Sequence, residues 1–146
     1  MIGPKVQRER GKQARREAYR QVDDRDGFID VRTGHYLGPD RAEHHHRQFL
    51  SRLGEDKAAN LVTLVGPGNT AGTHGWAHTE SEARLLGYSI PGWVSNVEDV
   101  PIWRLLPSER AFGWALQRGA EIVPVTQWFA EAQMRRLGLW RRGEGA

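Results

Sequence analysis

The alternation of apolar and polar positions predicts short elements along most of this chain. From Gln7 to about Asp24, only Ala14, Ala18, Tyr19 and Val22 interrupt a run of Arg, Lys, Glu and Gln. That is good helix composition broken at Gly11, with enough apolar surface to pack on one side only. RDGFIDVRTGHYLG, over 25–38, reads as a short hairpin, with Phe28, Ile29 and Val31 as strand formers and Thr33-Gly34 as the turn. EHHHR at 43–47 reads as a strand, and FLSRLGED as a helical turn ending at Gly54. Leu61–Val65 is an apolar run short enough for a buried strand. GPGNTAG must be a tight loop. Thr73 then predicts the N-cap of a helix to about Leu86, stopped by Gly87.

Beyond Tyr88 the pattern is less regular. Pro91 and Pro101 punctuate a stretch that reads as a strand or arm leaving the core. Ser108 predicts a helix cap, with the helix running to Arg118 and stopping at Gly119. EIVPV reads as a strand, followed by a terminal helix from about Thr126 to Leu137. The fold class is therefore α+β. Residues 1–24 form an N-terminal arm or helix, 25–90 a core, and 91–146 a Trp-rich extension of short strands and helices. Trp93, Trp103, Trp114, Trp128 and Trp140 read first as core anchors and second as an interface.

Composition narrows the setting. With 146 residues and 38% hydrophobic content, the chain makes one small domain with appendages. A net charge of +3 and pI near 9.7 favour an anionic partner. Lys5, Arg8, Arg10, Lys12, Arg15, Arg16 and Arg20 face only Glu9 and Glu17 in the first twenty residues, so the first helix predicts phosphate contact. The absence of cysteine excludes disulfides and thiolate metal sites. No apolar run is long enough to span a membrane, and the basic N-terminus lacks the apolar segment of a signal peptide. An intracellular, cytoplasmic protein is the expectation.

The chemistry concentrates between Glu43 and His78, which holds five of the six histidines: His44, His45, His46, His74 and His78. His74 and His78, four apart on a helix, share a face and can hold one metal ion. Adjacent histidines on a strand point to opposite faces, so one of His45 and His46 can bind metal while the next acts as a base. His35 reads as a surface or packing histidine.

The ordered set RDGFIDVRTG (25–34), HHR (45–47), NLVTLVG (60–66) and GTHGW (72–76) resembles the HNH endonucleases common in tailed bacteriophages and their hosts. Those typically read RDG-x-x-C-x-x-CG, HHR, NL-x-x-LCG and GCHGW. The resemblance covers roughly residues 20–101 and implies a ββα-metal core. The family's four zinc cysteines fall on Asp30, Thr33, Val65 and Thr73, so no structural zinc is expected. Packing and hydrogen bonds must hold the hairpin instead, with Phe28, Ile29, Val31, Tyr36, Leu61 and Leu64 the apolar candidates.

The resemblance implies a metal-dependent DNA endonuclease in a bacterial host cell, acting on double-stranded DNA and working beside terminase or another phage protein in DNA packaging. It makes His46 the general base and Asn60 the residue that orients it. His45, His74 and His78 would hold one divalent ion, Mg²⁺ or Mn²⁺ ahead of Ni²⁺ or Zn²⁺. Arg47 would grip a phosphate, with Arg8, Arg15, Arg16 and Arg20 further along the backbone. His44 leaves the register open by one residue, and a slip would swap faces. The competing reading is a non-catalytic DNA-binding or structural protein that retains the HNH shell. A module for protein interaction alone, with incidental histidines, stands third.

Overall fold

The computed structural model describes residues 3–66, 72–79 and 81–145. Its first element, α1, runs from Pro4 to Asp26 without a break at Gly11. Pro4 suits the first turn, where its missing N–H is not needed, and Gly27 ends the helix in the left-handed conformation. Residues 4–17 are exposed throughout. Only the last turns pack, with Ala18 and Val22 against Ala58 and Leu61.

Among the described residues the fold is mixed α+β, with four α-helices and two small antiparallel sheets. The first sheet pairs β1 (Ala42–His46) with β2 (Leu61–Val65), His45 lying opposite Val62. The connection contains two 3₁₀ turns, Leu50–Arg52 and Ala58–Asn60. Helix α2 (Gly72–Thr79) packs on β2, so the order is strand, strand, helix. The expected tight loop over 66–72 lies largely outside the described residues. The single helix expected from Thr73 to Leu86 is instead α2 and a separate α3 (Glu82–Leu85). Thr73 is not a cap: it lies inside α2 with its hydroxyl bonded to Asp30.

The second sheet has the order β3 (Ile102–Leu106), β4 (Ala111–Arg118), β5 (Glu121–Pro124). The helix expected to end at Arg118 is therefore a strand over 111–118. Phe112, Gly113 and Trp114 are poor helix formers, and burial of 114–117 on both faces rewards strand pairing. Gly119, rather than stopping a helix, turns the hairpin, with Arg118 opposite Glu121. The expected C-terminal helix is α4 (Gln127–Arg136), and Thr126 caps it by accepting the Phe129 N–H at 3.1 Å. Residues 91–101 do not leave the core. Val94 and Val100 are buried with Ile90, Trp114, Met134 and Trp140. Trp93 and Trp128 are exposed, so the tryptophans divide between core and surface. No helix among the described residues is long and apolar enough to cross a membrane.

The hairpin expected over 25–38 reduces to a single bridge between Ile29 and Tyr36, and Tyr36 is exposed. A carboxylate holds the segment. Asp30 accepts N–H bonds from Arg32 (2.9 Å) and Thr33 (3.0 Å) on one oxygen, and from Val65 (3.0 Å) and the Thr73 hydroxyl on the other. Positions 30, 33, 65 and 73, where the resemblance puts four zinc cysteines, therefore meet around one side chain.

A second buried carboxylate joins the two sheets. Asp26 accepts from Arg25 (2.8 and 3.0 Å), Arg104 of β3 (2.9 Å) and the Thr63 N–H of β2 (3.1 Å). Arg104 also donates to Gln117 of β4, which donates to the carbonyls of Ala59 and Leu61. β2 is thus tied from behind to the second sheet by buried polar groups.

Candidate active site

Period-two alternation in β1 decides which histidine faces the helix. His45 is fully buried with its ring against His74 and His78 of α2, while His44 and His46 alternate away from it and reach Asp23 and Asp56 at the rim of the cleft. His44 is engaged by α1: its Nε2 lies 2.8 Å from Asp23 and its ring stacks on Tyr19 at 4.0 Å. His44 is therefore not the inward-facing histidine. His35 is exposed.

Each inward-facing histidine is aimed by a neighbour. The His45 Nε2 lies 2.6 Å from the Tyr88 carbonyl, which can only accept, so Nε2 carries the proton and Nδ1 keeps its lone pair. That Nδ1 is buried without any partner. His74 donates from Nδ1 to the Glu43 carboxylate at 2.7 Å, leaving its Nε2 as the second lone pair. The His78 Nε2 stands 3.2 Å from the His74 Nε2. The ligand atoms of His45, His74 and His78 all lie within 4.8 Å of one another.

This donor set fits a metal ion. Two nitrogens on one tetrahedral zinc stand roughly 3.3 Å apart. A buried imidazole nitrogen with no partner is costly unless something binds it. Burial also lowers the His45 pKa to about 3, and desolvation lowers that of His78. Both rings are therefore neutral, as metal ligands must be. Hydrogen bonds from the far side of an imidazole orient it and raise its basicity, which is what Tyr88 and Glu43 provide.

His46 has a different partner. Its Nε2 lies 2.8 Å from Asp56, whose other oxygen accepts from Arg15 of α1 at 3.2 Å. With Nε2–H donated to a carboxylate, Nδ1 is the basic nitrogen. Partial burial pushes the Asp56 pKa up, but the His46 and Arg15 bonds and the Arg15 charge outweigh it and hold it below its usual value, so it stays ionised. His46, His74 and His78 line one cleft of about 360 Å³ with His44, Phe49, Leu50 and Ser51. Phe49 stacks on His78 at 4.4 Å and closes one wall.

Asn60 sets the loop that carries this pair. It accepts the Gln48 N–H at 2.7 Å and donates to the carbonyls of Gln48 (3.0 Å) and Glu55 (2.9 Å). Its own carbonyl accepts the Arg47 N–H at 2.7 Å. The residue after His46 and the residue before Asp56 are thus both held by Asn60.

Arg47 is a correction. The phosphate-gripping role that the resemblance implies for it fails, because it is fully buried. Its guanidinium donates to the carbonyls of Gly87 (2.8 Å), Ala59 (3.2 Å) and Val100 (2.7 Å), with Val97 and Pro101 at 3.5 Å. Burial without a carboxylate lowers its pKa to about 9, and no face is left for a ligand. Arg20 is exposed and pairs with Glu17 and Asp24 on the surface of α1. Arg8 and Arg16 are exposed.

Two residues of the site, Asp56 and Glu43, escape a reading from sequence. Asp56 sits in a polar loop where a carboxylate looks merely solvated. Glu43 carries a signal: two residues before His45, it must share that strand face.

A glycine protects the Glu43 contact. A methyl group at Gly66 would overlap the Glu43 carboxylate. Gly66→Ala is expected to push Glu43 off His74 and weaken Zn²⁺ or Ni²⁺ binding about 10-fold or more by calorimetry, with folding retained. Unchanged affinity would mean that Glu43 does not support the ligand.

No family model, curated protein or solved structure matches this chain.

Proposed function

We propose that this chain is a metal-dependent HNH endonuclease that hydrolyses phosphodiester bonds in double-stranded DNA. One observation carries the reading. Three histidine nitrogens converge on one point, and the residue after the first of them, His46, enters the same cleft on a carboxylate of its own. The convergence of positions 30, 33, 65 and 73 supports the same reading, because the resemblance assigns those four positions one shared structural task.

His46 takes a proton from water through Nδ1. Asp56, bonded to Nε2, keeps the ring in the right tautomer and stabilises the imidazolium that forms. Asn60 fixes the backbone on both sides of that pair. His45, His74 and His78 would hold one divalent ion, which when bound stabilises charge on the phosphate and the leaving oxygen. Three imidazoles with no carboxylate among them favour Zn²⁺ or Ni²⁺ over Mg²⁺ or Mn²⁺, a shift from the preference drawn from sequence. Action beside phage packaging proteins in a bacterial cytoplasm rests on the resemblance alone.

Plasmid cleavage tests the reading, with wild type beside His46→Ala across Mg²⁺, Mn²⁺, Ni²⁺ and Zn²⁺ and an EDTA control. Wild type is expected to nick or linearise DNA with metal only, and His46→Ala to be slower by about 10²–10⁴-fold. Equal cleavage by both proteins would remove His46 as the base. No cleavage with any metal, alongside salt-sensitive DNA binding, would leave a DNA-binding shell.

A further inference from the structure

Beyond the Arg15–Asp56 pair, the exposed half of α1 takes no part in the cleft chemistry. Residues 4–16 carry Lys5, Arg8, Arg10, Lys12, Arg15 and Arg16 against Glu9 alone. None of residues 4–17 is buried. At 3.6 residues per turn, Lys5, Arg8, Lys12 and Arg15 fall within an arc of about 80° centred on the direction of Tyr19. That direction faces the cleft: Tyr19 lies on His44, and Arg15 reaches Asp56, the partner of His46. Arg10 and Arg20 lie about 180° and about 100° from the centre of this arc. Glu9 reaches Lys12 only at 3.8 Å and in full exposure, which holds it weakly.

We propose that Lys5, Arg8, Lys12 and Arg15 form a rail for the phosphate backbone of duplex DNA, leading along α1 into the His46 cleft. This rests on the nuclease reading and specifies how its substrate lies. The stripe is about 15 Å long. A duplex presents one charge per about 1.7 Å of axis, so one face of DNA can meet all four cations. Single strands are held by aromatic stacking platforms, and residues 4–17 contain no aromatic side chain. A membrane surface would need an apolar face, and Pro4, Val6 and Ala14 do not make one.

The test is fluorescence anisotropy on a labelled duplex in EDTA, with salt varied from about 50 to 200 mM. Three proteins are compared: wild type, Lys5→Ala/Arg8→Ala/Lys12→Ala, and the charge-matched control Arg10→Ala/Arg20→Ala/Arg136→Ala. Arg15 is left intact because it holds Asp56. The stripe variant is expected to lower the slope of log K against log salt by about 2.7, at about 0.9 per phosphate contact. The control should lower it by less than about one. Equal losses in both variants, or a wild type without salt dependence, overturn the rail. Tighter binding to single-stranded DNA or to RNA, with the same stripe effect, overturns the duplex assignment. Because no metal is present, binding is read apart from cleavage. An intact stripe effect in a protein that never cuts plasmid would remove the nuclease and keep the rail.

Discussion

Asp26→Asn is expected to destabilise the fold by about 3–5 kcal/mol, because it leaves two buried guanidinium groups short of their counter-charge. Arg104 and Arg25 are 1% and 5% exposed in their side chains, and the Asp26 side chain is fully buried. The amide that replaces the carboxylate could still accept one N–H but carries no charge. The loss should appear in urea unfolding as a lower midpoint with an unchanged slope. Acid should act through the same residue. Burial pushes the Asp26 pKa up, but Arg104 and Arg25 outweigh it and hold the carboxylate well below its usual range. A depressed folded pKa gives stability that is fully present above the unfolded value of about 3.9 and is lost as pH falls beneath it. Wild type should therefore weaken steeply below about pH 4, and Asp26→Asn should lack that step. A variant within about 1 kcal/mol of wild type would show that the network is not what joins the two sheets.

His45 should produce a second pH dependence in a separate window. Burial lowers its folded pKa to about 3, against about 6.5 in the unfolded chain. Below pH 6.5 the unfolded chain binds a proton here that the folded chain refuses. Stability measured in EDTA should therefore fall by about 1.4 kcal/mol for each pH unit between about 6.5 and 3. His78 adds a smaller contribution of the same sign, since it is partly exposed and its pKa is also lowered. His45→Gln keeps an N–H donor for the Tyr88 carbonyl and removes the titrating ring. It is expected to flatten the slope by about one proton while abolishing tight metal binding. Equal slopes in the two proteins would mean that water or a shifted backbone reaches His45 in the folded state. Saturating Zn²⁺ at neutral pH should stabilise wild type by about 3 kcal/mol at a hundred times the dissociation constant, and His45→Gln much less.

Local chemistry carried much of this protein into its sequence. The i, i+4 spacing of His74 and His78 places both on one helical face whatever surrounds them. The Leu61–Val65 run is a strand because a short apolar, β-branched stretch has few other ways to be buried. Thr126 caps α4 and Gly27 ends α1 because those backbone groups need such residues nearby. The order strand, strand, helix and the shared face of His74 and His78 follow from such patterns, whereas His45 joined them as a candidate ligand through the family resemblance and sits beside them in the fold. Other features arise only when distant segments meet. Ala111–Arg118 is a strand because β3 and β5 pair with it on both edges, a gain invisible within its own eight residues. Arg47 looks like a phosphate ligand beside two histidines. Its fate is decided by the carbonyls of Ala59, Gly87 and Val100, which arrive from up to 53 positions away. The same holds for Asp56 and Glu43, which become partners of His46 and His74 through loop closure and helix packing. Periodicity is a property of neighbours in sequence, so the sequence determined which histidines share a face. Desolvation and hydrogen-bond pairing are properties of neighbours in space, so only the tertiary structure decided which charged groups are buried as struts and which remain to meet a substrate.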